Sequence, residues 1–503
     1  MTFTFSDLFA GIGGFHAALG ALGGECCFTS EIDGNAAAVY DYNWLRPRRD
    51  GFGDETRRVS GDIVPLTDPQ VLVPPTDVLA AGFPCQPFSK SGFQRGMDET
   101  RGTLFWNIAR VLEEDSPSVL LLENVRNLAG PNHRDTWATI VRTLRESGYR
   151  VSSVPAVFSP HLIGPELGGR PQVRERVFIL AHKVGPGGDD GRHDEPVVVP
   201  RPVYGWDPQD WSLDQHLLQA DDEIEHLDRY VLPEADRAVI DVWDDLLDKI
   251  VDRLDGGRLP GFPVWADDFR TLGETEQLIE SSPVPVPRWK AAFLRKNASF
   301  YEQHRAVIDD WKARHDNLSG LAPSRRKLEW QAQDPGPLWE TVMHFRPSGI
   351  RAKRPTYLPA LVAITQTSII GARGRRVTPR EAARLQGLPD WFEFRHAAPD
   401  GTVVDQPDAA TYRQLGNGVN VGAAYFVFRR YVLEHRDEIA QHAPHVVEAV
   451  EAAPANPDEA LANPRRLVTI DRPEERLTPF RTQDSARKLD AHRTTLRHRG
   501  RSR

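Results

Sequence analysis

Between residue 3 and about residue 183, short apolar runs alternate with helical stretches. That rhythm restricts this part of the chain to repeated βαβ units around a parallel sheet. It predicts strands at 4–8, 27–31, 77–82, 118–124 and 176–182. The run SVLLLENV at 118–125 is nearly all apolar, as a strand covered by helices on both faces has to be. This strand is expected at the centre of the sheet.

At 503 residues the chain exceeds one ordinary domain, and about three units is the expectation. Hydrophobic residues make up 40% and charged residues 26%, a globular balance that excludes a fibrous or wholly disordered protein. Three cysteines, Cys26, Cys27 and Cys85, can build neither a disulfide framework nor a structural zinc site, so no metal is expected and a reducing compartment fits. The opening MTFTFSDLFAGIGGF has no basic leader, and nowhere do eighteen apolar residues run together. A soluble, cytoplasmic protein without membrane contact is the expectation. The net charge of -9 argues against a broadly basic, nucleic-acid-binding surface, but the charge is segregated: 207–255 is acidic, whereas 346–354 and 373–384 are basic. Any contact with DNA should be local.

At 184–202 the chain turns rich in Gly, Pro and charge, which reads as a linker leaving the sheet. Val239, Val242, Trp243, Leu246, Ile250 and Leu254 then recur at three and four, marking an amphipathic helix over 234–254 ended by Gly256-Gly257. A second helical stretch runs from 288 to 315, and its region's Trp289, Trp311 and Trp330 read as core. Further on come an apolar run at 358–370, a capping box at Thr378-Pro379-Arg380-Glu381 and an apolar strip through 419–433. Beyond about 444 hydrophobic periodicity is lost, and 444–503 is expected to be a disordered basic tail.

Several residues carry chemistry. DLFAGIGGF at 7–15 is a strand running into a Gly-rich turn, a geometry that lets backbone approach a ligand or simply turns the chain. Glu31 follows about 20 residues on, where nucleotide-type folds place a ribose-binding carboxylate, and Asp62 and Ile63 are placed to face an adenine. Cys85 sits between Pro84 and Gln86-Pro87, directly after a predicted strand. A lone cysteine in such a setting is more often a small buried hydrophobe than a reactive group. Glu123 ends the apolar strand, and Arg174 and Arg176 lead into the last one. Taken alone, Glu123 and Arg176 could be an ion pair that staples two strands.

Together these segments resemble the carbon-5 cytosine DNA methyltransferase family. DLFAGIGGF, GFPCQPFSKSG, ENV, QVRERVFIL, RRVTPREAARLQGLP and QLGNGVNVG are similar to its motifs and stand in its order, over about 1–183 and 350–430. The resemblance implies an α/β, Rossmann-like S-adenosylmethionine-dependent methyltransferase fold with a mixed, mostly parallel sheet and a smaller target recognition domain. It implies a catalytic and cofactor-binding domain at 1–183, a target recognition region at 184–355, and C-terminal motifs at 356–443 that return to the catalytic domain.

By the same resemblance Cys85 is the nucleophile on cytosine carbon 6, Glu123 serves ring nitrogen 3, Arg176 holds the ring carbonyl with Arg174 close by, and Gln86 and Ser89 cover the site. Phe9, Gly11, Gly13, Glu31, Ile32, Asp62, Ile63, Pro84 and Asn417 would form the S-adenosylmethionine pocket. The target base must be flipped out of double-stranded DNA, since none of these atoms reaches a stacked base. Arg325, Arg326, Lys327, Arg346, Arg351, Lys353 and Arg354 are the candidates for reading DNA, with phosphate contact alone the plainer role for each. The implied setting is a monomeric, nucleoid-associated modification enzyme whose partner is a restriction or phage-defence nuclease acting on the same sequence. Methylation of RNA cytosine, or a catalytically silent DNA-binding regulator, are the competing functions. One departure stands out: Gly416-Asn417-Gly418-Val419 lacks the proline usual after this motif's asparagine.

Overall fold

The computed structural model describes residues 2–45, 59–84, 103–185, 187, 195–251, 259–332, 336–362, 367–398 and 401–463. Cys85, Gln86 and Ser89 lie outside these residues, as do Leu254, Gly256 and Gly257.

The first sheet contains β1 (Phe3–Leu8), β2 (Gly24–Ser30), β3 (Val78–Gly82), β4 (Val119–Val125), β5 (Tyr149–Val151), β6 (Ala156–Phe158) and β8 (Arg176–Lys183). A two-residue strand, β7 (Gln172–Val173), lies outside it. The order is β2-β1-β3-β4-β8-β5, with β6 also on β8; β1 to β4 are parallel and β8 runs antiparallel to β4. β4 lies inside the sheet, and all its residues before Val125 are buried. Strand residues alternate between two cores. Phe3, Phe5, Ala80, Leu121 and Phe178 face one, while Leu8, Leu79, Ala81, Leu122 and Ile179 face the other. Helices α1 (Gly14–Ala21) and α2 (Gly34–Tyr40) belong to the first face; α3 (Leu104–Asp115) and α4 (Arg134–Glu146) cover the second. This is the doubly covered, mixed and mostly parallel sheet expected.

A third core lies between α5 (Glu234–Val251), α6 (Arg288–Arg314) and a second sheet. That sheet comprises β9 (Val264–Trp265), β10 (Lys327–Trp330), β11 (Val342–Arg346), β12 (Gly349–Lys353), β14 (Ile369–Ile370) and β15 (Arg375–Arg376), ordered β15-β14-β11-β12-β10-β9. Trp243 and Trp311 are fully buried and Trp330 is 2% exposed, as core residues should be. Trp289, at 62% exposed, is a correction: it stands on the first turn of α6, beyond the buried stripe. The acidic residues of α5 turn out to be internal anchors. Asp241 accepts from Trp339 Nε1, Asp244 from the Leu338 amide, and Asp245 pairs with Arg314 and His315.

The boundaries differ from those the sequence suggests. Val197, Val198, Leu213 and Leu217 pack into the first core, so the unit built on the second sheet begins after them, and β14 and β15 extend it to 376. Between β12 and β14, the short strand β13 (Leu358–Pro359) pairs with β7 of the catalytic side. The chain then returns through α7 (Pro379–Leu385), α8 (Asp408–Asn417) and α9 (Val421–Glu434), with the Thr378–Glu381 capping box formed as predicted. The expected tail is corrected over its first part. Helices Pro444–Ala452 and Pro457–Leu461 bury Val446, Val450 and Leu461 in the first core, and both begin with Pro at the first helical turn. Residues 464–503 lie outside those described.

Candidate active site and nucleic-acid face

Strand β1 is buried to Leu8, and α1 starts only six residues later at Gly14. The chain makes this reversal with positive φ at Phe9 (57°), Gly11 (56°) and Gly13 (93°). Such backbone is ordinary for glycine and strained for phenylalanine. A Cβ on Gly13 would stand 2.1 Å from Nε1 of Trp44, and one on Gly14 would stand 2.5 Å from the Val419 carbonyl oxygen. A Cβ on Gly11 would meet nothing within 4 Å, because that side of the turn opens onto a cavity of about 490 Å³.

The cavity lies along the sheet edge where β1 to β4 end and β8 begins, the usual ligand edge of an open α/β sheet. Phe9, Gly11, Glu31, Ile32, Asp62 and Ile63 line one part of it. Pro84, Glu123, Arg176 and Asn417 line the rest. Gly13 is a correction: it packs on Trp44 below the turn and is not part of the wall. Glu31 fastens the turn from its far side. Its Oε2 accepts the Gly11 amide and its Oε1 the Asp33 amide, both at 2.8 Å, leaving each oxygen a further lone pair. Ile32, 74% exposed, offers a bare apolar surface beside it. A pocket with an open glycine face, a carboxylate and an exposed aliphatic side chain fits an adenosyl ligand in size and chemistry.

The antiparallel register pairs Val125 with Arg176, which brings the start of β8 beside Glu123 at the end of β4. Arg176 Nε lies 3.0 Å from Glu123 Oε1. Glu123 is nevertheless held above the usual carboxylate range, because burial outweighs the opposing pull of Arg176 and Arg174. Asn124 donates to the Phe83 carbonyl at 2.8 Å, tying the tips of β3 and β4 together just before the Pro84-Cys85 step.

Arg174 does something other than expected. It is 1% exposed, and it donates to the carbonyls of Leu361 (3.1 Å), Gly416 (2.8 Å) and Gly418 (2.7 Å). It is a clamp that holds the returning C-terminal segment against the catalytic sheet, not a hand free for a base. Burial, then Arg176, pushes it down to about 9, with Glu123 opposing. Among the wall residues not singled out in the sequence are two polar ones on one helix, Arg413 and Gln414. They share a face of α8 with Ala410 and Asn417, a three-and-four spacing legible in DAATYRQLGN once Asn417 is placed in the cavity.

Comparison with known proteins decides among the chemistries such a cavity could serve. Residues 3–432 match the family described as C-5 cytosine-specific DNA methylase. The chain belongs to that family. Its reaction is methyl transfer to carbon 5 of cytosine in DNA, with S-adenosylmethionine as donor. The chain is similar to the type II methyltransferase M.AluI of Cellulosimicrobium cellulans, at 47% identity over 86% of this chain and 92% of the relative. M.BanI of Aneurinibacillus aneurinilyticus is 28% identical over 84% and 94%, and M.HpaII of Haemophilus parainfluenzae 39% identical over 39% and 50%.

In this methylase the second sheet has two unlike faces. Leu328, Trp330, Met343, Phe345, Ile350 and Ala352 turn inward to α5 and α6. Register places Lys353 opposite Val342, Arg351 opposite both His344 and Glu329, and Arg346 opposite Gly349 on the other face. Val342 and Ile370, on that same face, belong to the catalytic core, so the face is turned toward the catalytic domain. Burial and mutual repulsion with Arg351 push Arg346 and Lys353 below their ordinary values. His344 is pushed down to about 3, first by burial and then by Arg346, Lys353 and Arg351. Crowded cations with one carboxylate, Glu329, among β10 to β12 are what a polyanion relieves.

The remaining candidates divide. Lys327 lies over Trp265 on β9. Arg325 stacks on Phe345 at 4.4 Å, Arg326 donates to the Leu321 carbonyl, and Arg354 donates to the Ala332 carbonyl. These three arginines are engaged with groups of the second unit itself.

Proposed function

We propose that this methylase flips a cytosine from a specific short duplex sequence and methylates it by way of a covalent bond to Cys85. The observation that carries the reading is the buried Glu123 with Arg176 Nε 3.0 Å from its Oε1, in one cavity with the Gly11 turn and Glu31.

Cys85, as thiolate, adds to carbon 6 of the cytosine, and the electron pair moves through the ring toward carbon 5. Glu123 gives a proton or hydrogen bond to ring nitrogen 3, which its burial leaves it able to do. Arg176 holds the ring carbonyl oxygen. S-adenosylmethionine supplies the methyl group when bound, and Glu31, Ile32, Asp62 and Asn417 are the residues that would hold it. A base then removes the carbon-5 proton, the carbon–sulfur bond breaks, and Cys85 leaves as thiolate while ring nitrogen 3 returns its proton to Glu123, which restores the neutral ring. Double-stranded DNA lies across the basic face of the second sheet, with Arg346, Arg351 and Lys353 turned to it and Gln86 and Ser89 at the flipped base.

The likeness to type II methyltransferases supports a role as the modification partner of a restriction or defence nuclease that acts on the same sequence. Action as a monomer on nucleoid DNA in the cytoplasm, without a metal, completes the reading. Among the described residues no helix is long and apolar enough to cross a membrane. Bisulfite sequencing of DNA and RNA from cells expressing the protein tests it. Conversion-resistant cytosine within one short DNA sequence is expected; resistance confined to RNA, or absent, contradicts it.

A further inference from the structure

We propose that Arg351, aligned by Glu329, reads a guanine edge of the target sequence, while Arg346 and Lys353 beside it hold phosphate. The inference rests on the reading of this sheet face as the DNA-binding surface.

The three cations share one face but not one environment. Arg351 is held on two of its nitrogens by one carboxylate oxygen, Nε at 2.8 Å and Nη2 at 2.7 Å from Glu329 Oε2. The other oxygen of Glu329 accepts from Gln331 Nε2, so the carboxylate is itself fixed on both sides. β10 and β12 pair directly here, Glu329 opposite Arg351, so the alignment is built on strands. What remains free on Arg351 is the outer edge of the guanidinium, whose Nη1 has no other partner among the described residues. Two parallel N–H groups at that edge match the paired acceptors that guanine shows in the major groove. A flexible arginine would have to be ordered on binding; this one is already ordered.

Arg346 and Lys353 present the opposite case. Neither side chain has an ion-pair partner among the described residues, and both are repelled by Arg351. Unaligned, crowded cations suit the diffuse charge of phosphate and carry no base information. Arg325, Arg326 and Arg354 are excluded by their structural bonds.

The test measures methylation of duplexes carrying the wild-type target and each single base-pair change, with Tm and S-adenosylmethionine affinity of every variant as folding controls. Wild type should discriminate against loss of one particular G·C pair by about 10- to 100-fold. Arg351→Ala should bring that ratio close to one and leave the other positions unchanged, and Arg351→Lys should not restore it. Glu329→Gln, which keeps the arginine and loosens its alignment, should lower the ratio at the same pair. Lys353→Ala should slow methylation alike on every duplex. Discrimination that survives Arg351→Ala, or a loss spread evenly over all positions, overturns the inference and leaves the DNA reading of the face intact. Wild-type protein that methylates no duplex overturns both.

Discussion

At the residue scale the site turns on a conflict inside Glu123. Arg176 at 3.0 Å pulls its pKa down, and burial at the end of β4 pushes it up and outweighs that pull. A raised acid holds its proton to higher pH, so the activity that needs protonated Glu123 should fall as pH rises through that pKa. Glu123→Gln removes the titration, and its kcat profile should lose this limb while kcat drops about 10²- to 10⁴-fold. A Gln variant with the wild-type pH limb would assign the limb to another group. Arg174 serves a different end. Arg174→Ala takes this donor from three carbonyls, that of Gly416 buried and those of Leu361 and Gly418 part-buried, and should cost about 1–3 kcal/mol in urea unfolding. It should also weaken S-adenosylmethionine binding measured by calorimetry, because the clamped segment carries Asn417.

At the element scale the critical contact is between the Gly-rich turn and the returning segment. Gly14→Ala would press a methyl group against the Val419 carbonyl, 2.5 Å away, where only backbone can yield. A loss of about 1–3 kcal/mol is expected, seen as a lower Tm and weaker cofactor binding together. An unchanged Tm would mean that α1 and this segment part easily. The strands were legible because each holds a short apolar run between turns and helices: the five predicted strands correspond to β1, β2, β3, β4 and β8. β5 and β6 have three residues each, too short for periodicity to mark them. Among the described residues, Phe9, Gly11, Glu31, Asp62, Glu123, Arg176 and Asn417 line one cavity at the sheet edge, since strand order brings these ends together. Gly13 and Arg174 were misplaced for a physical reason: whether a glycine or arginine faces a cavity or its own backbone depends on distant partners, Trp44 in one case and Leu361, Gly416 and Gly418 in the other.

At the scale of the whole molecule, the basic face of the second sheet is turned toward the first core, and net charge gives no hint of it. The acidity of 207–255 includes anchoring carboxylates such as Asp241, Asp244 and Asp245 within the unit built on the second sheet. Three histidines, His161, His182 and His344, are held neutral by burial and pushed down to about 4, 4 and 3. Below pH 6.5 the unfolded chain binds protons that the folded one refuses. Stability should therefore fall as pH drops from 6.5 toward 4, by at most about 1.4 kcal/mol per pH unit for each histidine. A Tm that is flat over this range would contradict their burial. Salt dependence of duplex binding checks the charge layout: Arg346→Ala and Lys353→Ala should each reduce the slope of log K against log salt by about one.

The proposed mechanism stands on a covalent bond between Cys85 and cytosine carbon 6. Replacing the target cytosine by 5-fluorocytosine removes the proton whose loss lets the enzyme leave, so the carbon–sulfur bond should persist after methyl transfer. Mass spectrometry of the digested product should find the modified base on the peptide containing Cys85, and no adduct with Cys85→Ser. An adduct on another residue, or methylation by Cys85→Ser, would contradict the account.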